Sequence, residues 1–300
     1  MPPPYLLLPL VAAVLYALGS IVVKRALKEG VTMDQSFHLT NLALGLLFFP
    51  LVFLERNGID WSQTAKPLLT GAAFFFANWL TFAALRRGDV SFVTPLMGTK
   101  VVFVALGVVL LTGTTPSLPL WIAAVLTTVG IFVMGLADLR GGRHIAFTAV
   151  VTLSSALLFG LFDVLVSWWA ADFGELAFLA IGMGTVPLFS FALWFLQGRP
   201  ALTMTKTRAK WTGWGAVLIA LQAVFMGLGL SFFDDATGVN VVYASRGLWT
   251  IVLLVVLGRF FGNSERHDTG RGFLWRVLGT ILLTIAILIA VVDRTAATSG

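Results

Sequence analysis

Residues 89–111, DVSFVTPLMGTKVVFVALGVVLL, decide how the chain is read. The stretch is long enough to span a bilayer, which takes about 20 apolar residues, and it carries Lys100 near its midpoint. A charge at the bilayer centre costs about 3 kcal/mol on insertion scales, so such a residue faces protein or a watery cavity rather than lipid. A second stretch, residues 235–257, DATGVNVVYASRGLWTIVLLVVL, repeats the pattern 146 positions later. Asp89 falls on Asp235, Ser91 on Thr237, Thr99 on Ser245 and Lys100 on Arg246. The spacing predicts two copies of one unit facing a common site.

The rest of the chain has the composition such a reading needs. Of its 300 residues 58% are hydrophobic and 11% charged, and the apolar residues come in long blocks rather than spaced stripes. That pattern belongs to a polytopic membrane protein. Ten spans fit: about 5–23, 37–54, 67–85, 89–111, 120–136, 145–169, 176–196, 211–233, 235–257 and 273–292. The apolar start lacks a basic leader and a small-residue cleavage site, so it is expected to be a retained helix rather than a signal peptide. The tail, residues 293–300, is expected to be disordered.

Alternating loops on opposite sides of these spans separates the basic residues sharply. Fifteen lie on the side of Lys24, Arg25, Arg86 and Arg87; three, Arg56, Lys66 and Arg294, lie on the other. The remaining two are Lys100 and Arg246. Basic residues favour the cytoplasmic side, which places both termini outside the cytoplasm, in an integral protein of a bacterial inner membrane. The net charge of +6 is then explained by topology and not by nucleic-acid binding.

Five spans per half, 1–139 and 140–300, make the second copy enter the membrane from the opposite side, as an inverted repeat. The expected fold is all-α, ten transmembrane helices in two inverted five-helix repeats. A second match supports it: residues 16–23, YALGSIVV, align with 159–166, FGLFDVLV, which sets Ser20 opposite Asp163. In an inverted repeat Lys100 and Arg246 reach the same depth, near the midplane, where such transporters bind substrate.

Lys100 and Arg246 are therefore candidate ligands for a carboxylate or phosphate, the lysine as a compact charge and the arginine as a planar fork. The structural alternative ties each to carbonyls or to Asp163, the one carboxylate well inside a span. Asp163 is a candidate counter-ion or proton carrier. Asn78, Gln222, Asn240 and Tyr243 are polar candidates at similar depth, and Trp79 and Trp249 could line a cavity. For these the competing reading is interhelical hydrogen bonding or ordinary packing. Pro95 and Pro187 are candidate bends.

Catalysis finds little support. The histidines, His38, His144 and His267, fall near predicted loops in no metal-ligand spacing, no phosphate-binding glycine loop occurs, and the absence of cysteine excludes disulfides and thiolate metal sites. No cofactor is expected.

Ten short-looped spans in two halves, with the loop-to-helix stretch 86–95, RRGDVSFVTP, leading into the fourth, resemble the drug/metabolite transporter superfamily, especially its EamA-like branch. The resemblance implies an inverted-repeat fold, a central cavity lined by the third, fourth, eighth and ninth helices among others, and alternating access for small metabolites. In placement, Lys100 and Arg246 are similar to the basic residues with which plastid phosphate translocators, distant relatives, hold phosphate. The function expected is secondary transport of a small anionic metabolite. The alternatives are an exporter of zwitterionic amino acids and a membrane-embedded binding or assembly subunit without transport of its own.

Overall fold

A computed structural model describes residues 3–87, 90–135, 145–199, 201–257 and 271–299. Gly88, Asp89 and the expected division at 139/140 lie outside them, as do Arg140, Arg143, Arg259, Arg266, His144 and His267. The described residues form helices and turns without a strand. The helices are α1 (Leu7–Lys28), α2 (Met33–Phe48), α3 (Ala65–Arg87), α4 (Val90–Met97), α5 (Lys100–Thr112), α6 (Leu118–Gly135), α7 (Ile145–Phe173), α8 (Glu175–Leu196), α9 (Lys206–Phe232), α10 (Ala236–Tyr243), α11 (Arg246–Leu257) and α12 (Arg271–Ser299). Nine helical segments among the described residues are long and apolar enough to cross a membrane, α4 and α5 together forming one of them. The α10–α11 pair adds a further crossing, divided into two pieces that are each too short to cross alone.

The 146-residue repeat is written into the element bounds. α4 and α10 both have eight residues and start 146 positions apart, at Val90 and Ala236, and α5 and α11 start on Lys100 and Arg246. Both spans are interrupted between the paired helices by turns with i to i−3 hydrogen bonds. Gly98 and Thr99 donate to Pro95 and Leu96, and Ser245 and Gly247 donate to Val242 and Ala244. Tightened turns of this kind inside a span are characteristic of a hinge or a functional site. Pro95 lies inside α4 but α10 has no proline, so the shared break belongs to the repeat and not to the ring alone.

Packing follows the same exchange of halves. α1 packs along α9 as α7 packs along α3; α2 touches α9 as α8 touches α3; α11 lies on α1 as α5 lies on α7. Two pairs, α2 with α8 and α6 with α12, join equivalent helices across the relation. The fold is thus the expected all-α membrane architecture of two inverted five-helix repeats. Small residues set the closest approaches. A Cβ on Gly71 of α3 would collide with the carbonyl of Gly182 on α8, and one on Gly135 of α6 would collide with the Pro95 ring.

Several bounds differ from those read off the sequence. α2 starts at Met33 rather than 37 because Thr32 and Gln35 form a reciprocal capping box, at 3.0 and 3.1 Å. Residues 293–299, expected to be disordered, continue α12. They are tied down: Asp293 accepts from Ser117 at 2.7 Å, and Arg294 forks onto Asp235 at 2.8 and 2.5 Å. Asp235 also caps α10 at the Gly238 N–H and accepts from Tyr5 at 2.6 Å, so the two ends of the chain meet at the start of the ninth crossing. Pro187 seats its ring against Gly45 of α2 within α8.

Among the described residues, basic side chains make contacts at both ends of the bundle. On one face Arg86 pairs with Asp34, Arg208 donates to the Glu29 carbonyl at 2.6 Å, and Arg87 lies over Phe147. On the opposite face Lys66 pairs with Asp172 at 2.8 Å, and Glu55 accepts from the Leu176 and Ala177 amides at the start of α8.

Candidate functional site

Lys100 opens α5 and Arg246 opens α11, and the two breaks bring both cations to one aromatic side chain. The Tyr243 ring, last in α10, has the Lys100 ammonium 5.8 Å and the Arg246 guanidinium 4.7 Å from its centroid. A cation over a ring face is held by the ring quadrupole without losing its charge. Each cation also lies over a second ring from the other half of the repeat: Lys100 over Phe159 of α7 at 5.7 Å, and Arg246 over Tyr16 of α1 at 4.8 Å. Tyr16 and Phe159 are the first residues of the aligned stretches 16–23 and 159–166. The sequence match is therefore a spatial one.

The Tyr16 and Tyr243 rings are 6.2 Å apart and nearly perpendicular, so they hold the guanidinium in a corner and not in a sandwich. Gln222 of α9 accepts from the Tyr243 hydroxyl at 2.8 Å and fixes that wall of the corner.

One turn further along the aligned stretches the halves part company. Asp163 of α7 reaches Lys100, Oδ2 to Nζ 2.6 Å, with side chains 2% and 11% exposed. Its repeat counterpart is Ser20 of α1, whose hydroxyl donates to its own helix at the Ala17 carbonyl, 2.8 Å away. Among the described residues no carboxylate lies within ion-pair distance of Arg246. One cation is thus neutralised and its mate is not. The three groups carry one net positive charge, at the N-terminal ends of two half-helices whose dipoles also favour an anion.

The remaining expected residues divide. Asp163, Tyr243 and Gln222 join the two cations. Asn240 is buried but donates to the Ala236 carbonyl of its own helix at 2.9 Å. Asn78 donates to Asn41 of α2 at 2.9 Å, and Asn41 donates to Ser190 of α8, which also contacts His38 Nδ1 at 2.8 Å. Asn78 therefore belongs to a separate polar chain between α2, α3 and α8. Trp79, next in α3, is 38% exposed, and no polar or ring contact links it to the cluster among the described residues. Trp249 packs at the edge of the main apolar core.

His38 is a correction to the sequence reading, since it is buried inside α2 and not near a loop. Tyr16 and Phe159 are additions. Their signal was available in the alignment of residues 16–23 with 159–166, which set the two aromatics opposite each other. Among the described residues no group of three or more metal-ligating side chains occurs.

Known proteins resemble the chain at three levels. Residues 3–136 match the model of the EamA-like transporter family. A protein of Archaeoglobus fulgidus described as an uncharacterized transporter is 30% identical over 153 residues, which cover 50% of this chain and 55% of that protein. The chain thus spans little more than half the length of that relative. A solved crystal structure, described simply as that of a protein, superposes with a TM-score of 0.70 at 15% identity, covering 95% of this chain and 97% of the other. At that identity the likeness speaks for the fold alone. Over residues 3–136, therefore, the chain is similar to the EamA-like transporter family.

Proposed function

We propose that the protein is a secondary transporter of a small organic anion, a carboxylate or phosphate, bound between the halves 1–139 and 140–300 with Arg246 as its principal ligand. The observation that carries this reading is the Ser20/Asp163 asymmetry. A buried cation needs a partner; Lys100 has one in Asp163 at 2.6 Å. Arg246 has aromatic walls and no carboxylate among the described residues, which suits a site whose counter-ion arrives with the substrate. The aromatic corner holds the guanidinium in place, so little side-chain entropy is lost when the anion docks. Tyr243, Gln222 and Tyr16 position that charge, and Lys100 supplies a second one nearby.

The likeness of residues 3–136 to a transporter family and the hinge-like breaks beside both cations support alternating access around this point. The one-sided distribution of basic loops supports both termini outside the cytoplasm of a cytoplasmic membrane.

The test is counterflow in proteoliposomes with radiolabelled gluconate, glycerol 3-phosphate, glycine and putrescine. Saturable exchange is expected for at least one of the two anions, and Arg246→Gln is expected to abolish it while the variant still elutes as a folded protein. Exchange confined to glycine or putrescine, or anion exchange undiminished in Arg246→Gln, overturns the reading. Stable capture of a partner protein with no solute flux favours the non-transporting alternative.

A further inference from the structure

We infer that the site carries a proton together with its anion, with Asp163 as the proton's seat: the substrate's anionic group takes over Lys100 as Asp163 becomes protonated. This rests on the reading of Arg246 as an anion ligand.

The geometry sets up a competition. An anion that reaches Arg246 sits beside the Tyr243 ring, which Lys100 also faces. It therefore approaches the Lys100 ammonium that Asp163 already holds at 2.6 Å. Two ionised acidic groups sharing one cation in a site of low dielectric repel each other, and the relief open to them is for one to take a proton. Asp163 is the group disposed to do so. It is 1% exposed, and Oδ2 has no well-formed hydrogen bond, so the close ammonium is its charge stabiliser at that atom. A buried carboxylate that keeps its charge through every state of a cycle normally accepts several donors.

Among the described residues no other carboxylate is placed to take this role. Around Asp163 the titratable side chains are Lys100 from α5, Tyr243 from α10, Arg246 from α11 and Tyr16 from α1. α4 contains none, α8 carries only Glu175 at its outer end, and α3 and α9 carry theirs at their ends, with Phe74 and uncharged Gln222 at this depth.

The proton balance is simple. A proton from water on the side to which the site is open goes onto Asp163, and Lys100 passes to the substrate. On the opposite side the substrate leaves, Lys100 returns to Asp163, and the proton goes to water. With a singly charged anion one proton and one negative charge cross together, so the step is electroneutral. By linkage, substrate binding raises proton affinity, and acidification raises substrate affinity by the same factor.

The experiment uses the purified protein in weak buffer with a pH-indicator dye, and gluconate as probe if it exchanges. Otherwise glycerol 3-phosphate is used, corrected for its own second ionisation. The wild type is expected to take up about one proton per anion bound, with affinity rising up to about tenfold per pH unit of acidification in the coupled range. In proteoliposomes an acid gradient is expected to drive accumulation. Asp163→Asn is expected to lose both proton uptake on anion binding and gradient-driven accumulation. Anion binding without proton uptake in the wild type, or full gradient-driven accumulation in Asp163→Asn, overturns the inference. If Asp163→Asn does not fold, proton uptake by the wild type and by Asp163→Glu decides. Absence of anion exchange in the wild type instead overturns the function proposed above, which keeps the two failures distinct.

Discussion

Replacing Lys100 with Met removes the ammonium and leaves the Asp163 carboxylate buried, at 1% exposure, without its ion partner. Breaking one side of a buried pair costs about 3–5 kcal/mol. The stranded carboxylate has an escape, which bounds the loss: it can take a proton. From an ordinary carboxylate value of about 3.9, protonation at pH 7 costs about 4 kcal/mol, at about 1.4 kcal/mol per pH unit. The variant is therefore expected to be less stable by about 4 kcal/mol at pH 7, close to 10 °C in apparent melting temperature on soluble-protein scales. Its unfolded chain releases the proton that its folded form must hold, so its stability rises as the pH falls and the deficit shrinks to about 1.5 kcal/mol by pH 5. Removing both charges, as Lys100→Met with Asp163→Leu, is expected to recover most of the loss, because an apolar pair of similar volume avoids desolvating either ion. Thermal unfolding in detergent, followed by tryptophan fluorescence between pH 5 and 8 for the wild type, both single variants and the double variant, measures the whole cycle. A deficit in Lys100→Met that does not change with pH, or a double variant no more stable than the single, refutes the reasoning.

Two further outcomes follow from the same geometry and from the capping of α8. Ser20→Asp puts a carboxylate at the repeat equivalent of Asp163, so it is expected to occupy Arg246 and weaken anion binding about 10- to 100-fold, the worth of one charge-assisted hydrogen bond. Ser20→Asn, similar in size and uncharged, should leave it nearly unchanged, with counterflow affinity as the readout. Glu55 is pushed up by burial, but the Asn57, Ala177, Leu176 and Arg56 amides outweigh this and hold its carboxyl below the usual range. Its contribution is thus complete above the ordinary carboxylate range and lost as the pH falls through the lowered value. Glu55→Gln is expected to cost about 1 kcal/mol at pH 7, as for loss of a helix cap, with its unfolding curve meeting that of the wild type in acid.

What the chain discloses in one dimension is depth. The 146-residue echo and the shared depth of Lys100 and Arg246 are statements about position along a span, and each reappears in space. Rotation about the helix axis is different, because nearly every residue of a span is apolar and no stripe marks the inner face. Asn78 and Trp79, neighbours in α3, share a depth and face different surroundings. Asn240 sits beside the right turn but spends its amide on its own helix. Tyr16 escaped because one aromatic among many carries no mark; only its alignment with Phe159, backed by a cation over each ring, singles it out. The tail was misjudged for a related reason. Its anchor, Asp235, is 59 residues from Arg294, and a local reading of a polar terminus does not contain that contact.

The pairing of Ser20 with Asp163 also bears on why the two halves share one chain. A two-fold assembly of identical half-length chains holds every charge near its axis in duplicate, so the total there is even. Two copies of the first half would place two lysines and no aspartate around the centre, and two copies of the second would place two arginines cancelled by two aspartates. A total of +1 is beyond any such dimer. Joining the halves covalently removes the parity constraint, and one serine-for-aspartate difference between them is enough to produce a centre that an exact two-fold axis forbids.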